Sequence, residues 1–228
     1  MELLVLALAP SVAIGMLFYL RDKYDREPLG LLFKTFLLGA LTIIPVGFAE
    51  YWLFELWGID IFNTGSLLTT LLAMLFLVAL VEESAKFLVV RWYAWNKPEF
   101  NEPYDGIIYT LMASLGFATV ENILYVIQWG ATVAWLRAFL TVPMHALTAV
   151  IMGYYIGLAK YSKTKKESDG NMYTGLWIAI LFHGFFNWFV SSNITILILM
   201  APVLVGYSWY VGLRASKISA TSSPFKKL

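Results

Sequence analysis

Two adjacent glutamates and a lysine interrupt a strongly apolar run, VALVEESAKFLVV at residues 78–90. On a helix Lys86 can pair with both carboxylates, because Glu82 lies four residues before it and Glu83 three. Such an ion pair would help the segment enter a membrane, yet one lysine leaves the second carboxylate without a counter-charge. A desolvated carboxylate beside another is suited to take a proton from water. The motif therefore predicts general-base hydrolysis, with a purely structural ion pair as the alternative.

Three further ionisable side chains follow in later apolar runs. They are Glu121, which precedes Asn122, then His145, and then His183 in the motif HGFFN. Asn187 lies four residues after His183, so a helix would present both on one face. Donors on that face could stabilise the charge that develops on a carbonyl oxygen when water attacks it. Each group alone could instead link helices by hydrogen bonds.

The composition is that of a membrane protein. Of 228 residues, 60% are hydrophobic and 14% are charged, against about 25% charged in a typical soluble domain. The net charge of +1, without a clustered basic face, gives no indication of nucleic-acid binding. The absence of cysteine excludes disulfides and thiol catalysis.

Apolar runs that could cross about 30 Å of hydrocarbon as a helix are separated only by short polar connections. We therefore predict an all-α, polytopic membrane protein, with a single transmembrane domain at 1–214 and a short cytoplasmic tail at 215–228. The seven predicted spans are approximately 3–20, 29–53, 67–92, 106–128, 132–159, 172–191 and 194–213.

Lysine and arginine in alternate connections predict the orientation, because short cytoplasmic loops carry an excess of these residues. The N-terminus is predicted outside and the C-terminus in the cytoplasm. Arg137, near the predicted outer start of the fifth span, runs against this pattern. The residues that set the orientation are Arg21, Lys23, Arg26, Arg91, Lys97, Lys160, Lys163, Lys165, Lys166, Arg214, Lys217, Lys226 and Lys227.

The ionisable groups fall at similar depths in the predicted bilayer. At 1.5 Å per residue, Glu82 and His145 lie about 22 and 20 Å from the outer edge, and Glu121 and His183 about 10 and 12 Å. Helix tilt allows all four to share one layer. Four consecutive helices would then each deliver a group for acid–base or ligand chemistry to the bundle interior. This coincidence favours a functional site over unrelated structural contacts.

Competing intramembrane chemistries lack their sequence marks. HExxH and GxSxG motifs are absent, and the Tyr104-Asp105 pair lacks the second aspartate of aspartyl proteases. Ser84 and Lys86 are two residues apart and would not face each other. Two alternatives stay open: a zinc ion held by the Glu and His residues, and an ion-coupled transporter or receptor. The sequence shows no internal repeat of the kind that many transporters have.

Four motifs on successive spans closely resemble the PrsW family of bacterial intramembrane proteases. They are EESAK, LGFATVENILY at 115–125, PMHALTAVIMGYYIGLAK at 143–160 and HGFFN. FYLRDKYDREP at 18–28 and YDGIIY at 104–109 are also similar to the family, so the resemblance covers most of the chain. The family belongs to a wider group that includes the CAAX-processing enzymes and the Abi proteins.

The resemblance implies residue roles. Glu82 would activate the water, Glu83 would support it, and His183 with Asn187 would contact the oxyanion. Lys86 is expected to hold the carboxylate pair in place, with Phe117 and Asn122 as further supporting residues. The leading hypothesis needs no cofactor, while zinc is the alternative.

One motif departs from the wider group. Its FxxxH pattern corresponds here to Phe117 through Glu121, with glutamate in place of histidine, as is usual for PrsW. Glu121 and His145 are therefore both candidates for the second partner of the water.

The resemblance also implies a substrate and a location. The family makes the first cut in a membrane-spanning anti-sigma factor, on the outer side of the bacterial plasma membrane. We therefore expect the lipid bilayer as environment and a single-pass membrane protein as partner.

Overall fold

The computed structural model describes residues 2–60 and 65–226, and within these ranges the regular structure is helical. Within these ranges, seven helices are long and apolar enough to cross a membrane, as predicted. Part of the predicted connection GIDIFNTG, at 58–65, lies outside the described residues, as does Lys227. We number the spans in chain order: span 1 Leu3–Arg21, span 2 Leu29–Trp57, span 3 Leu67–Ala94, span 4 Pro103–Trp129, span 5 Ala131–Lys160, span 6 Lys165–Ser191 and span 7 Thr195–Thr221.

Spans 6 and 7 extend furthest beyond the predicted apolar runs. Span 6 begins at Lys165 rather than near 172, because the Thr164 side chain accepts a hydrogen bond from the Glu167 amide and caps a polar first turn. Span 7 continues to Thr221, seven residues into the predicted tail. Hydropathy marks only the apolar part of a helix and misses such polar turns. The cytoplasmic assignment of the tail stays a prediction.

Spans 4 and 5 form the centre of the bundle and are the most buried of the seven. They approach closely where a Cβ on Gly153 would collide with the backbone of Gly106, and one on Gly157 with that of Pro103. The GYYIG motif at 153–157 therefore packs backbone against backbone, as its spacing predicts.

Three π-helical segments interrupt spans 3 and 5, which carry part of the candidate site. Met74–Ala79 and Val90–Ala94 flank the helix Leu80–Val89, which holds the EESAK motif. Arg137–Thr141 precedes the helix Val142–Lys160, which holds His145. A π-helical turn is wider than an α-helical one and changes the direction of the side chains on either side of it, and such turns are frequent at functional sites.

The bundle has two ends, which we call the Trp129 end and the Lys160 end after one residue at each. The Trp129 end carries the connections after spans 2, 4 and 6, and the Lys160 end those after spans 1, 3 and 5. Which end faces the cytoplasm stays a prediction.

Candidate active site

Lys86 lies at the centre of the polar cluster. Its Nζ is 3.0 Å from Glu82 Oε2, 2.7 Å from Glu83 Oε1 and 3.1 Å from His145 Nδ1. The Phe117 ring lies 4.5 Å from the same nitrogen and closes one side of the site. Lys86 and Glu83 are fully buried. Lys86 thus contacts both carboxylates and ties them to span 5.

His183 approaches the glutamate pair from span 6. Its Nδ1 is 2.7 Å from Glu83 Oε1, and its Nε2 is 3.9 Å from Glu82 Oε2. A Cβ on the next residue, Gly184, would overlap Leu75 of span 3, so glycine is what lets the two helices come this close. A carboxylate only accepts hydrogen bonds, so Nδ1 carries the proton. In a neutral ring, the Nε2 lone pair then faces Glu82.

His145 joins Glu121 to Lys86. Its Nε2 is 2.9 Å from Glu121 Oε2, while its Nδ1 faces the Lys86 ammonium. Carboxylates accept and ammonium groups donate, so a neutral His145 carries its proton on Nε2 and its lone pair on Nδ1. The two histidine rings meet edge to face, 4.8 Å apart. The two rings therefore hold opposite tautomers.

Among the described residues, Glu82 has one direct hydrogen-bond contact, from Lys86 Nζ to its Oε2. Its Oε2 lies 3.9 Å from His145 Nδ1 and 3.9 Å from His183 Nε2. These separations are too long for direct hydrogen bonds but suit a water molecule that bridges two groups. The structure thus brings Glu82, His145 and His183 together, while Glu121 lies one contact further away, behind His145.

Asn187 lies one helical turn from His183, toward the Trp129 end, and is half-buried. Its side chain makes no hydrogen bond with any residue that the structure describes. An amide with free donors beside the polar cluster can serve as a donor to substrate.

Arg137 also belongs to this cluster, although the sequence pattern related it only to membrane orientation. Its Nη2 forms an ion pair with Glu121 Oε2 at 2.9 Å, and its Nε donates to Asn122 Oδ1 at 3.0 Å. At 100° per residue, a regular α-helix would turn Arg137 about 80° away from His145, yet both contact Glu121. The π-helical segment that starts at Arg137 lies between them, and hydropathy gives no signal for it.

Glu50 is a further residue near the site that the sequence analysis did not predict. It lies in the second half of span 2, close enough to Glu82, Glu121 and Lys86 for their charges to interact. Its Oε1 is buried and has no hydrogen-bond partner among the described residues. A carboxylate inside an apolar run is by itself a signal of function, and that rule would have found it.

A second set of carboxyl groups lies at the Lys160 end, where the 18–28 and 104–109 motifs meet. Tyr109 donates to Glu27, and Tyr104 donates to the Phe18 carbonyl at 2.8 Å. Burial raises the pKa of Asp22 to about 8 and that of Glu27 to about 7. This cluster tethers the connection after span 1 to span 4.

A metal ion is the alternative use of the central cluster. Ligand atoms of Glu82, Glu83, His145 and His183 lie within 4.8 Å of one another, and these residue types suit zinc. However, the Lys86 ammonium lies between these ligand atoms and already contacts Glu82, Glu83 and His145. The residues therefore fit zinc in type, but do not fit it while Lys86 keeps this position.

Comparison with known proteins identifies the family. A family described as "PrsW family intramembrane metalloprotease" matches residues 27–211. "Protease PrsW" of Geobacillus kaustophilus is 37% identical over 84% of this chain and 81% of its own length, and that of Bacillus subtilis 36% over 92% of each. "Protease PrsW" of Clostridioides difficile is 34% identical over 93% of this chain and 89% of its own length. No solved structure matches the chain. The resemblance seen in the motifs is thus confirmed: the chain belongs to the PrsW family and is an intramembrane protease.

Proposed function

We propose that this intramembrane endopeptidase hydrolyses its substrate with a water molecule activated by Glu82. The observation that carries the proposal is the 3.9 Å separation of Glu82 Oε2 from both histidines. Glu83 is less suited to the role, because its Oε1 already contacts Lys86 and His183. Glu82 contacts only Lys86 directly among the described residues, so it is the carboxylate better able to take a proton from water.

The reaction follows from these contacts. Glu82 takes a proton from the water, the oxygen attacks the peptide carbonyl carbon, and the proton passes to the leaving nitrogen. The Asn187 amide donates to the oxyanion that forms. His183 Nε2 first orients the water through its lone pair, and it becomes a second donor to the oxyanion only when it is protonated.

Of the two candidates for the second partner of the water, we propose His145, which acts through Lys86 because its Nδ1 lone pair accepts from that ammonium. His145 Nδ1 is 3.9 Å from Glu82 Oε2, whereas Glu121 reaches the site through the opposite nitrogen of that ring. Glu121 then acts by holding the ring. These contacts favour His145 over Glu121 as the second partner of the water.

The substrate class follows from the family resemblance. We propose site-1 cleavage of a single-pass anti-sigma factor in the bacterial cell membrane, with the Trp129 end outside. At 1.5 Å per residue, Glu82 and His183 lie about 22 and 12 Å from that end, on either side of the midplane of about 30 Å of hydrocarbon.

The test is Glu82→Gln in purified protein reconstituted with a single-pass anti-sigma factor of a PrsW relative. We expect cleavage to fall by about 10²–10⁴-fold, the usual contribution of a general base. Glu167→Gln, an exposed change of the same chemistry, is the matched control and should cut at the wild-type rate. Undiminished cleavage by Glu82→Gln would reject Glu82 as the base.

A metal-dependent reaction is the second candidate, and the family's description as metalloproteases favours it. The ion would be held among Glu82, Glu83, His145 and His183 and would supply Lewis-acid activation of water. Activity that disappears with a chelator and returns with one zinc per chain would support this candidate. The glutamate proposal expects full activity in metal-depleted protein. The transporter and receptor alternatives lose their basis, because the family is one of proteases.

A further inference from the structure

Arg137 is held by one face of span 4. Besides the contacts to Glu121 and Asn122, its guanidinium lies 4.1 Å from the centre of the Tyr125 ring. Asn122 is itself anchored, since its Nδ2 donates to the Ala7 carbonyl at 2.9 Å. Only 7% of Arg137 is exposed. A buried guanidinium with this many partners is fixed in place and can fix its neighbour.

Glu121 passes that constraint to His145. Arg137 Nη2 and His145 Nε2 both lie 2.9 Å from the same oxygen, Glu121 Oε2. The Arg137 Nη2 contact is an ion pair rather than an aligned hydrogen bond, because Nη2 has no such partner among the described residues. The hydrogen bond from His145 is therefore the directional contact at that oxygen.

We propose that Arg137 is a positioning residue that acts through Glu121 to fix the ring orientation and tautomer of His145 beside Glu82. The inference rests on the proposed function for its effect on catalysis, but its structural part is independent of that function. Without the guanidinium, the Glu121 carboxyl can rotate, and His145 loses a fixed acceptor for its Nε2 proton. The His145 lone pair then no longer faces Lys86, which holds Glu82 at 3.0 Å.

The chain offers a direct spectroscopic test because it has only two histidines. In ¹⁵N-histidine-labelled protein in lipid nanodiscs, ring nitrogen shifts report which nitrogen of each ring is protonated, and His183→Asn assigns the two sets. We expect Nε2–H for His145 and Nδ1–H for His183 in the wild type. In Arg137→Met, His145 should lose its single Nε2–H signature while His183 keeps its own.

Kinetics provide the second readout. Arg137→Met should lower kcat by about 100-fold, as for a small misplacement of catalytic groups, with KM within about 2-fold because Arg137 does not touch substrate. Arg137→Lys should recover most of kcat, since an ammonium can still pair with Glu121. Glu121→Gln combined with Arg137→Met should be no slower than Glu121→Gln alone. Arg214→Met, an exposed change, is the matched control.

The outcomes separate this inference from the proposed function. An unchanged His145 signature and kcat in Arg137→Met would overturn the inference, even if Glu82→Gln abolishes cleavage. Full cleavage by Glu82→Gln would reject the proposed function, while the tautomer result would still decide the structural inference. If Arg137→Met does not fold, Arg137→Lys decides: a wild-type His145 signature supports the inference, and a kcat as low as that of Glu121→Gln overturns it.

Discussion

Replacing Lys86 with methionine tests the central contact of the site. Methionine is similar in length but uncharged, so Lys86→Met leaves Glu82 and Glu83 buried without their shared cation. Removing one partner of a buried ion pair costs about 3–5 kcal/mol. At about 2–4 °C per kcal/mol for a domain of this size, the midpoint of thermal unfolding should fall by about 6–20 °C.

The assay is thermal unfolding of purified protein in one detergent, followed by circular dichroism. Lys34→Met is the matched control, because Lys34 is exposed within span 2, and it should leave the midpoint unchanged. Adding Glu83→Gln to Lys86→Met should restore part of the loss, since the second buried charge is also removed. An unchanged midpoint in Lys86→Met would refute the ion-pair account. A midpoint that depends on added zinc would instead mean that a metal replaces the ammonium.

Three further predictions concern pH, helix packing and the oxyanion. Asp22 and Glu27 hold protons in the folded state at a pH where the unfolded chain has lost them, so the folding stability should fall as the pH rises from about 4 to 8. The slope is up to about 1.4 kcal/mol per pH unit for each group, and Asp22→Asn should reduce it in unfolding midpoints measured across this range. Gly153→Leu should prevent the approach to Gly106 and cost at least about 1–3 kcal/mol, seen as loss of folded protein in size-exclusion chromatography. Asn187→Ala should lower kcat by about 10²–10³-fold with little change in KM, measured by the rate of substrate cleavage.

Each of these predictions has a contradicting result. An Asp22→Asn protein whose stability varies with pH as strongly as the wild type would place the titrating groups elsewhere. Gly206→Leu is the packing control, because nothing lies within 4 Å of a Cβ there. Equal yields of folded Gly153→Leu and Gly206→Leu would contradict the tight contact of spans 4 and 5. An Asn187→Ala enzyme with normal kcat would exclude the amide as an oxyanion donor.

The sequence predicts the spans well because the bilayer requires long apolar helices whatever their partners. It also predicts that Glu82, Glu121, His145 and His183 lie in one layer, since depth along a straight helix depends only on residue count. Depth does not determine which side chains touch. The choice of His145 as the neighbour of Glu82 depends on how the helices are rotated against each other.

Helix rotation also explains why the sequence did not predict Arg137 as a residue of the site. The π-helical segments change the phase of spans 3 and 5, and single-sequence patterns give no sign of them. Arg137 was therefore assigned to topology rather than to the site. Glu50 has a different explanation, because it lies outside every motif that resembles the family. The carboxyl cluster around Asp22 depends on a contact between the connection after span 1 and span 4, which are distant in sequence, and hydropathy does not report such contacts.

The most direct test of the account compares Glu82→Gln with Glu83→Gln in the same reconstituted membranes, with rates of substrate cleavage measured at equal amounts of folded enzyme. If Glu82 activates the water, Glu82→Gln should lower the rate by about 10²–10⁴-fold. Glu83→Gln should lose less, because its amide oxygen can still accept from Lys86 and His183. Normal cleavage by Glu82→Gln, or a larger loss in Glu83→Gln, would contradict the account.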